Sequence, residues 1–362
     1  MKPLAALALC VLGWNFSAAA AESFRMYAPS PTTKQLWIVQ AKVSATGVEL
    51  NLENKVELGF AGSSIAAHPG RPLLYVGGGG KPAEKIPAVA LSLDEKGSST
   101  KLHPFELKHG TAYLSTDRTG RFLLSADYGS GAVDVYGLDA AGIPVKWVAG
   151  RDEGRKEAHC VLPSPDNRYV YIPYVKGNNA LLQYAFDPET GALTPLDPAN
   201  AEPPAGTGPR HMAYHPTLPV AYFSNEQHLG VSVYDRQAGG RLKFRNVCDA
   251  VPDSEPKEKI SSSDIVITPD GRFIFAGIRG HTSDFDSISR FRVLPNGDLT
   301  LLGRTPADRT PWGFALSPDG AHLAVTAFNG GTITVYRVGA DGDLTKAASL
   351  PCDKNISDIV TR

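Results

Sequence analysis

An arginine and a histidine arrive together at Arg210-His211, directly after the turn Gly206-Thr-Gly-Pro209 and at the head of an apolar run. Two glycines and a proline set a turn, so polar chemistry stands where a strand begins. Similar placements recur at His159 in Glu157-Ala-His-Cys-Val-Leu162, at Asp264 in Ser261-Ser-Ser-Asp-Ile-Val-Ile267 and at Trp312. Asn225-Glu226 and Arg279, with His281 close behind, instead close β-rich runs. Two guanidinium groups suit an anion, or the oxyanion that develops when water attacks an ester carbonyl. A carboxylate or imidazole beside them can activate that water. The set fits hydrolysis of a cyclic ester.

These residues need elements to bring them together, and the chain supplies a repeat. A short β-rich run ending in a turn glycine recurs seven times, with glycines at Gly47, Gly97, Gly142, Gly191, Gly240, Gly297 and Gly342. By subtraction they are 50, 45, 49, 49, 57 and 45 residues apart. Between them lies a polar turn opening another strand, as in Ser164-Pro-Asp-Asn167, Thr268-Pro-Asp-Gly271 and Ser317-Pro-Asp-Gly320. Proline presets the turn and Asp-Gly closes it. Units of about fifty residues with four strands each are β-propeller blades. The fold expected is therefore all-β, a single seven-bladed propeller over residues 22–362. The first unit lacks an inner strand, and Ser357-Asp-Ile-Val-Thr361 is expected to supply it and close the ring. A pair of β-sandwiches with accidental periodicity is the competing fold.

Antiparallel blade strands put the start of each inner strand and the end of each second strand on one face of the disk. His159, Arg210, His211, Asp264, Trp312, Asn225, Glu226, Arg279 and His281 are all expected there, near the central channel, with the Pro-Asp-Gly turns opposite. Each has a plainer reading. Arg210 pairs with Glu226 as a buried ion bridge, His211 and His215 cap strands, Asp264 holds channel backbone, and Trp312 packs.

Composition excludes several classes. The 362 residues are 42% hydrophobic and 20% charged, with 36 Lys+Arg against 37 Asp+Glu. No basic run points to nucleic acid. Residues 1–21 read as a cleaved secretory signal, with Lys2, an apolar stretch and Ala18-Ala-Ala-Ala21, so a periplasmic location and no membrane attachment are expected. A lipid anchor at Cys10 is disfavoured by the bulky Leu9 before it. The remaining Cys160, Cys248 and Cys352 form no disulfide framework. Cys160 reads as core, because its neighbour His159 points to the opposite side of a strand. No close cluster with metal-ligand spacing is present, and two arginines repel a cation.

Gly206-Thr-Gly-Pro-Arg-His-Met-Ala-Tyr-His-Pro216, Ser224-Asn-Glu226, Glu157-Ala-His159, Asp264-Ile-Val-Ile-Thr-Pro-Asp-Gly-Arg-Phe273 and Ala276-Gly-Ile-Arg279 together resemble the seven-bladed propeller lactonases. That family includes the propeller 6-phosphogluconolactonases and the fungal carboxymuconate cyclases. The resemblance implies catalytic roles for His159, Arg210, Glu226 and Arg279, a small lactone substrate, and no metal or other cofactor. It leaves open whether Glu226 or His159 is the base. The substrate-binding shell is expected at His211, Asp264, Asn225, His281 and Trp312, with His211 protonating the departing ring oxygen. A leader peptide sets this chain apart, and it favours glucono-1,5-lactone over a phosphorylated sugar lactone kept in the cytoplasm. A 6-phosphogluconolactonase, a muconate-type cycloisomerase and a non-enzymatic binding propeller are the alternatives.

Overall fold

The computed structural model describes residues 23–79, 85–251, 260–280 and 285–362. The leader and His281 lie outside these residues. Seven antiparallel sheets of four strands each form the propeller. We number the blades by their second strands: Phe24–Ser30, Leu73–Gly78, Phe122–Ala126, Tyr169–Tyr174, Val220–Asn225, Phe273–Arg279 and His322–Ala327 for blades 1 to 7. The innermost strands of blades 2 to 7 are Gly62–Ala67, Tyr113–Thr116, Leu162–Pro163, Pro209–Tyr214, Ser261–Ile267 and Pro311–Leu316. In blade 1 the innermost strand is Val360–Thr361, from the other end of the chain. It pairs through Met26 with Thr361 and Tyr27 with Val360, so the ring closes as the sequence led us to expect.

Blades stack face to face, and this dictates their composition. The second strands of blades 2, 3, 5, 6 and 7 are buried at every residue, because both faces meet a neighbouring blade. Outermost strands such as Pro144–Arg151 are largely exposed or half-buried. Seven apolar clusters result, one at each blade-to-blade contact; Val220, Tyr222, Ile265 and Ile274 belong to the one between blades 5 and 6. Full burial of each such side chain contributes roughly 1.5–3 kcal/mol.

The repeated glycine has a partner in the blade before it. Tyr27, Tyr75, Tyr171 and Tyr222 donate their hydroxyls to the carbonyls of Gly97, Gly142, Gly240 and Gly297, at 2.6 to 2.8 Å. Gly240 shows why no side chain fits: its φ is +82°, and a Cβ there would lie 2.1 Å from the Tyr169 ring. The polar turns are structural too. His215 Nδ1 accepts the amides of Thr217 and Leu218 at 3.1 and 2.9 Å, which bears out its reading as a cap. Cys160, Cys248 and Cys352 are all free thiols, and Cys160 is fully buried between blades 4 and 5.

Candidate functional site

Equivalent backbone bonds fix a common register across the blades. The amides of His215, Ser164, Thr268, Ser317 and Asp117 donate to the carbonyls of Val220, Tyr169, Phe273, His322 and Phe122. Five residues before the donors stand Arg210, His159, Ser263, Trp312 and Ala112, at or near the start of the innermost strands. Six residues after Val220, Phe122, Phe273 and His322 stand Glu226, Tyr128, Arg279 and Phe328. These two rows meet around a cavity of about 470 Å³ whose lining includes Tyr128, His159, Lys176, Glu226, Arg279 and Trp312. That volume lies within the roughly 300–1,000 Å³ usual for small-molecule sites.

The loops before these strands are tied to one another. Gly208 has φ +58°, and a Cβ there would lie 1.6 Å from the Gln227 side chain. Its amide donates to Asn179 Oδ1 at 2.7 Å, in the loop that follows Lys176. Gln227 then bridges: its Oε1 accepts the Lys176 amide at 2.8 Å and its Nε2 donates to Glu226 Oε1 at 3.3 Å. The loop opening blade 5 therefore positions the carboxylate closing its second strand and the lysine of blade 4.

Charge is concentrated on the blade 4 to 6 side. Glu226 Oε2 lies 3.1 Å from Arg210 Nε and 3.3 Å from Arg279 Nη2. Arg279 Nη2 also donates to the Ser262 carbonyl at 2.6 Å. Arg210 is 0% exposed and sits one layer deeper, yet both its Nη1 and Nη2 lack a partner among the described residues, as does Arg279 Nε. Buried guanidinium N–H groups left unpaired are costly, and binding sites are where such groups are tolerated. Trp312 stacks on Phe328 at 4.5 Å and places its ring 4.3 Å from the Arg279 guanidinium carbon. Burial and the neighbouring Arg210 charge push Arg279 down to about 9, which still leaves it charged at neutral pH.

His159 lines the cavity between Tyr128, with ring centroids at 5.4 Å, and His211, at 5.1 Å. Burial, then Arg210, hold its pKa well below the usual histidine range, so the ring is neutral at pH 7. Its Nδ1 is buried without a partner among the described residues, which leaves Nε2 as the cavity nitrogen. His211 Nδ1 lies 2.7 Å from Asp264 Oδ1. Burial, then Arg210, lower His211 as well.

The structure thus brings His159, Glu226, Arg279 and Trp312 to one cavity, with Arg210 beneath and His211 behind. It moves two expected ligand contacts elsewhere. Asn225 is fully buried and exchanges two hydrogen bonds with Ser232, at 2.8 and 3.0 Å, on the next strand out. Adjacent residues of a strand point to opposite sides, so Glu226 faces the cavity and Asn225 does not. Asp264 lines a second chamber, of about 380 Å³, walled by the innermost strands and sharing no lining residue with the first. Tyr128, Lys176 and Phe328 were missed, although counting along the second strands from Glu226 and Arg279 leads to Tyr128 and Phe328. Among the described residues no group of three or more His, Cys, Asp or Glu is placed to hold a metal ion.

Residues 25–356 match the family described as "Lactonase, 7-bladed beta-propeller". The chain belongs to this lactonase family. It is 33% identical over 326 residues to the 6-phosphogluconolactonase of Pectobacterium carotovorum, covering 89% of this chain and 94% of that one. It is 30% identical over 315 residues to the 6-phosphogluconolactonase of Cronobacter sakazakii, covering 86% and 90%. Among solved structures, a periplasmic gluconolactonase of Pseudomonas aeruginosa superposes with a TM-score of 0.82 at 23% identity, covering 94% of this chain and 99% of that one. At that identity the superposition speaks for the fold alone. In this family member the cavity presents a neutral imidazole, a guanidinium and a carboxylate bound to two cations. Such a group of residues can take a proton from water and hold an oxyanion.

Proposed function

We propose that this lactonase is an exported enzyme that opens an unphosphorylated aldonolactone, glucono-1,5-lactone or a close relative, to its acid. The observation that carries the reading is the Arg279 guanidinium beside the neutral His159 in one cavity. His159 Nε2 takes a proton from water as the water oxygen bonds to the lactone carbonyl carbon. Arg279 holds the oxyanion, and the positive Arg210 below strengthens the field there. The ring C–O bond then breaks, and the proton on His159 passes to the departing oxygen. Glu226, with Oε2 shared between both arginines, aligns them and leaves the base role to His159. The leader-like residues 1–21 support export, and with it a substrate found outside the cytoplasm.

One observation favours a second substrate, 6-phosphogluconolactone. The Lys176 side chain is 52% exposed at the cavity rim, with its ammonium 3.6 Å from Glu157 and 5.1 Å from the Tyr128 ring centroid, where a phosphate could meet it. Acid release from both lactones at slightly acid pH, where spontaneous opening is slow, tests the reading. Turnover of glucono-1,5-lactone that is lost in folded Arg279→Ala and His159→Gln variants supports it. Turnover of the phosphorylated lactone alone moves the assignment to the second substrate. No turnover of either by folded protein sinks both and leaves the muconate lactones and a binding role to examine.

A further inference from the structure

Behind His159 stands a second histidine to which the lactone mechanism gives no task. His211 Nδ1 lies against Asp264 Oδ1 at 2.7 Å, and His211 Nε2 is buried with no partner among the described residues. Asp264 accepts at both oxygens: Ile265 donates its amide to Oδ1 at 2.8 Å and Phe314 donates its amide to Oδ2 at 2.9 Å. A carboxylate engaged in this way is an acceptor for His211 too, so the His211 proton sits on Nδ1 and the lone pair on Nε2. The His159 ring packs edge-on against this imidazole, at 69° and 5.1 Å between centroids. Its Nδ1 is the other buried ring nitrogen here without a partner.

We propose that Asp264 and His211 are positioning residues for His159: His211 Nε2 accepts the His159 Nδ1 proton, which leaves the His159 Nε2 lone pair directed at water. The inference rests on the lactone reading, in which His159 is the base. The two rings stand close without a hydrogen bond between them, and the contact closes as substrate binds; catalytic hydrogen bonds commonly tighten in this way. When His159 takes the proton from water, its positive charge is stabilised by His211 and, through it, by the Asp264 carboxylate. Nothing is consumed, since the proton returns to the ring oxygen when the C–O bond breaks. His211 is then a support for the base, instead of the acid that serves the leaving oxygen.

A structural role for Asp264 is the rival, and a second aspartate separates the two. Asp358 occupies the equivalent place in blade 1 and accepts the Ile359 and Ile65 amides at 2.8 and 2.9 Å, but no histidine among the described residues is bonded to it. Asp264→Asn is expected to lower kcat about 10- to 100-fold with KM held within about 2-fold, the size usual for an orienting partner. The acid limb of the kcat profile moves to lower pH, because the lost carboxylate no longer favours a protonated histidine. Arg210, Arg279, Tyr113 and Tyr128 also face the two rings, and none is altered. Asp358→Asn is expected to leave kcat and its profile in place. An Asp264→Asn variant that loses only thermal stability, with an unshifted profile, overturns the proposal.

Imidazole nitrogen NMR provides a readout that needs no turnover. With gluconate in the cavity, the His211 and His159 protons are both expected on Nδ1, and Asp264→Asn is expected to redistribute them. A His159 proton on Nε2, or spectra indifferent to Asp264→Asn, counts against the relay. Turnover that survives His159→Gln instead sinks the lactone mechanism itself, so the two failures are distinguishable.

Discussion

Asp264 and Asp358 are one structural device used on two sides of the channel. Each stands in the sequence Ser-Asp-Ile-Val, at Ser263–Val266 and Ser357–Val360. Each carboxylate accepts its own next amide and an amide of the following blade, Phe314 for one and Ile65 for the other. The serine before each donates to a carbonyl of that same neighbour, Pro311 or Ser63, at 2.8 and 3.0 Å. The surroundings then part company. Burial pushes Asp264 up, but the charge and hydrogen bond of His211, with the Phe314 amide and Arg210, outweigh it and bring it below the usual carboxylate range. Asp358 has no such partner among the described residues. Burial pushes it up to about 7, partly offset by the Ile65 amide and reinforced by the Asp264 charge. A repeat supplies the same clamp twice, and only the side of blades 4 to 6 adds the cations and imidazoles that turn one copy toward chemistry.

The largest expected contrast comes from residues at one register place on the two sides. Arg279 and Phe328 both stand six residues into their blades from the backbone bond that fixes the register. Arg279→Ala is expected to reduce kcat/KM about 10²- to 10³-fold, the usual loss when one oxyanion donor is removed. Phe328→Leu removes only the stack on Trp312 and is expected to raise KM about 2- to 5-fold with kcat kept. Steady-state kinetics on both folded variants, with melting temperatures as the control, would break the comparison if the two losses matched.

The aspartates themselves give opposite pH dependences of stability. Asp264 has a lowered folded pKa, so its contribution is complete above the unfolded value of 3.8 and is lost as pH falls through the folded value. Asp264→Asn is thus expected to cost about 1–3 kcal/mol at pH 7, with the deficit shrinking in acid. Asp358 has a raised folded pKa. Between about pH 4 and 7 the folded chain keeps a proton that the unfolded chain has released, so stability falls as pH rises through that window. Asp358→Asn is expected to be less stable by about 1 kcal/mol near pH 5, where one amide loses its acceptor, and to close or reverse that gap by pH 8. Denaturant titrations at three pH values check both signs.

The sequence made the ring and its closing strand legible because glycine turns and Pro-Asp-Gly turns repeat at blade length. It also assigned His159, Arg210, Glu226 and Arg279 to one end of the channel, since antiparallel order fixes where strands begin and end. Depth and direction were harder to read. The pairing of Pro209–Tyr214 with its neighbour shifts register between Pro209 and Met212, so strict alternation fails at Arg210 and His211. Asn225 could have been set aside by the alternation argument already applied to Cys160. Tyr128 and Phe328 are ordinary aromatic residues, visible as lining only when the blades are aligned on their backbone bonds. Lys176 sits in a short turn at φ +52°, a placement no repeat pattern encodes.

The smallest expected effect sharpens the comparison most cleanly, because it should show no asymmetry at all. Ser263 and Ser357 make the same bond to the following blade, beside aspartates whose titration differs. A neutral hydroxyl-to-carbonyl bond contributes about 0.5–1.5 kcal/mol net, and it carries no charge for His211 or the arginines to act on. Ser263→Ala and Ser357→Ala are therefore expected to destabilise by equal amounts within about 0.5 kcal/mol, with no dependence on pH between 5 and 8. Equal losses locate the difference between the two sides in the charged groups alone. A larger or pH-dependent loss at Ser263 would mean that the backbone clamp itself differs, and that the blade 5 to 6 contact is specialised before any imidazole is considered.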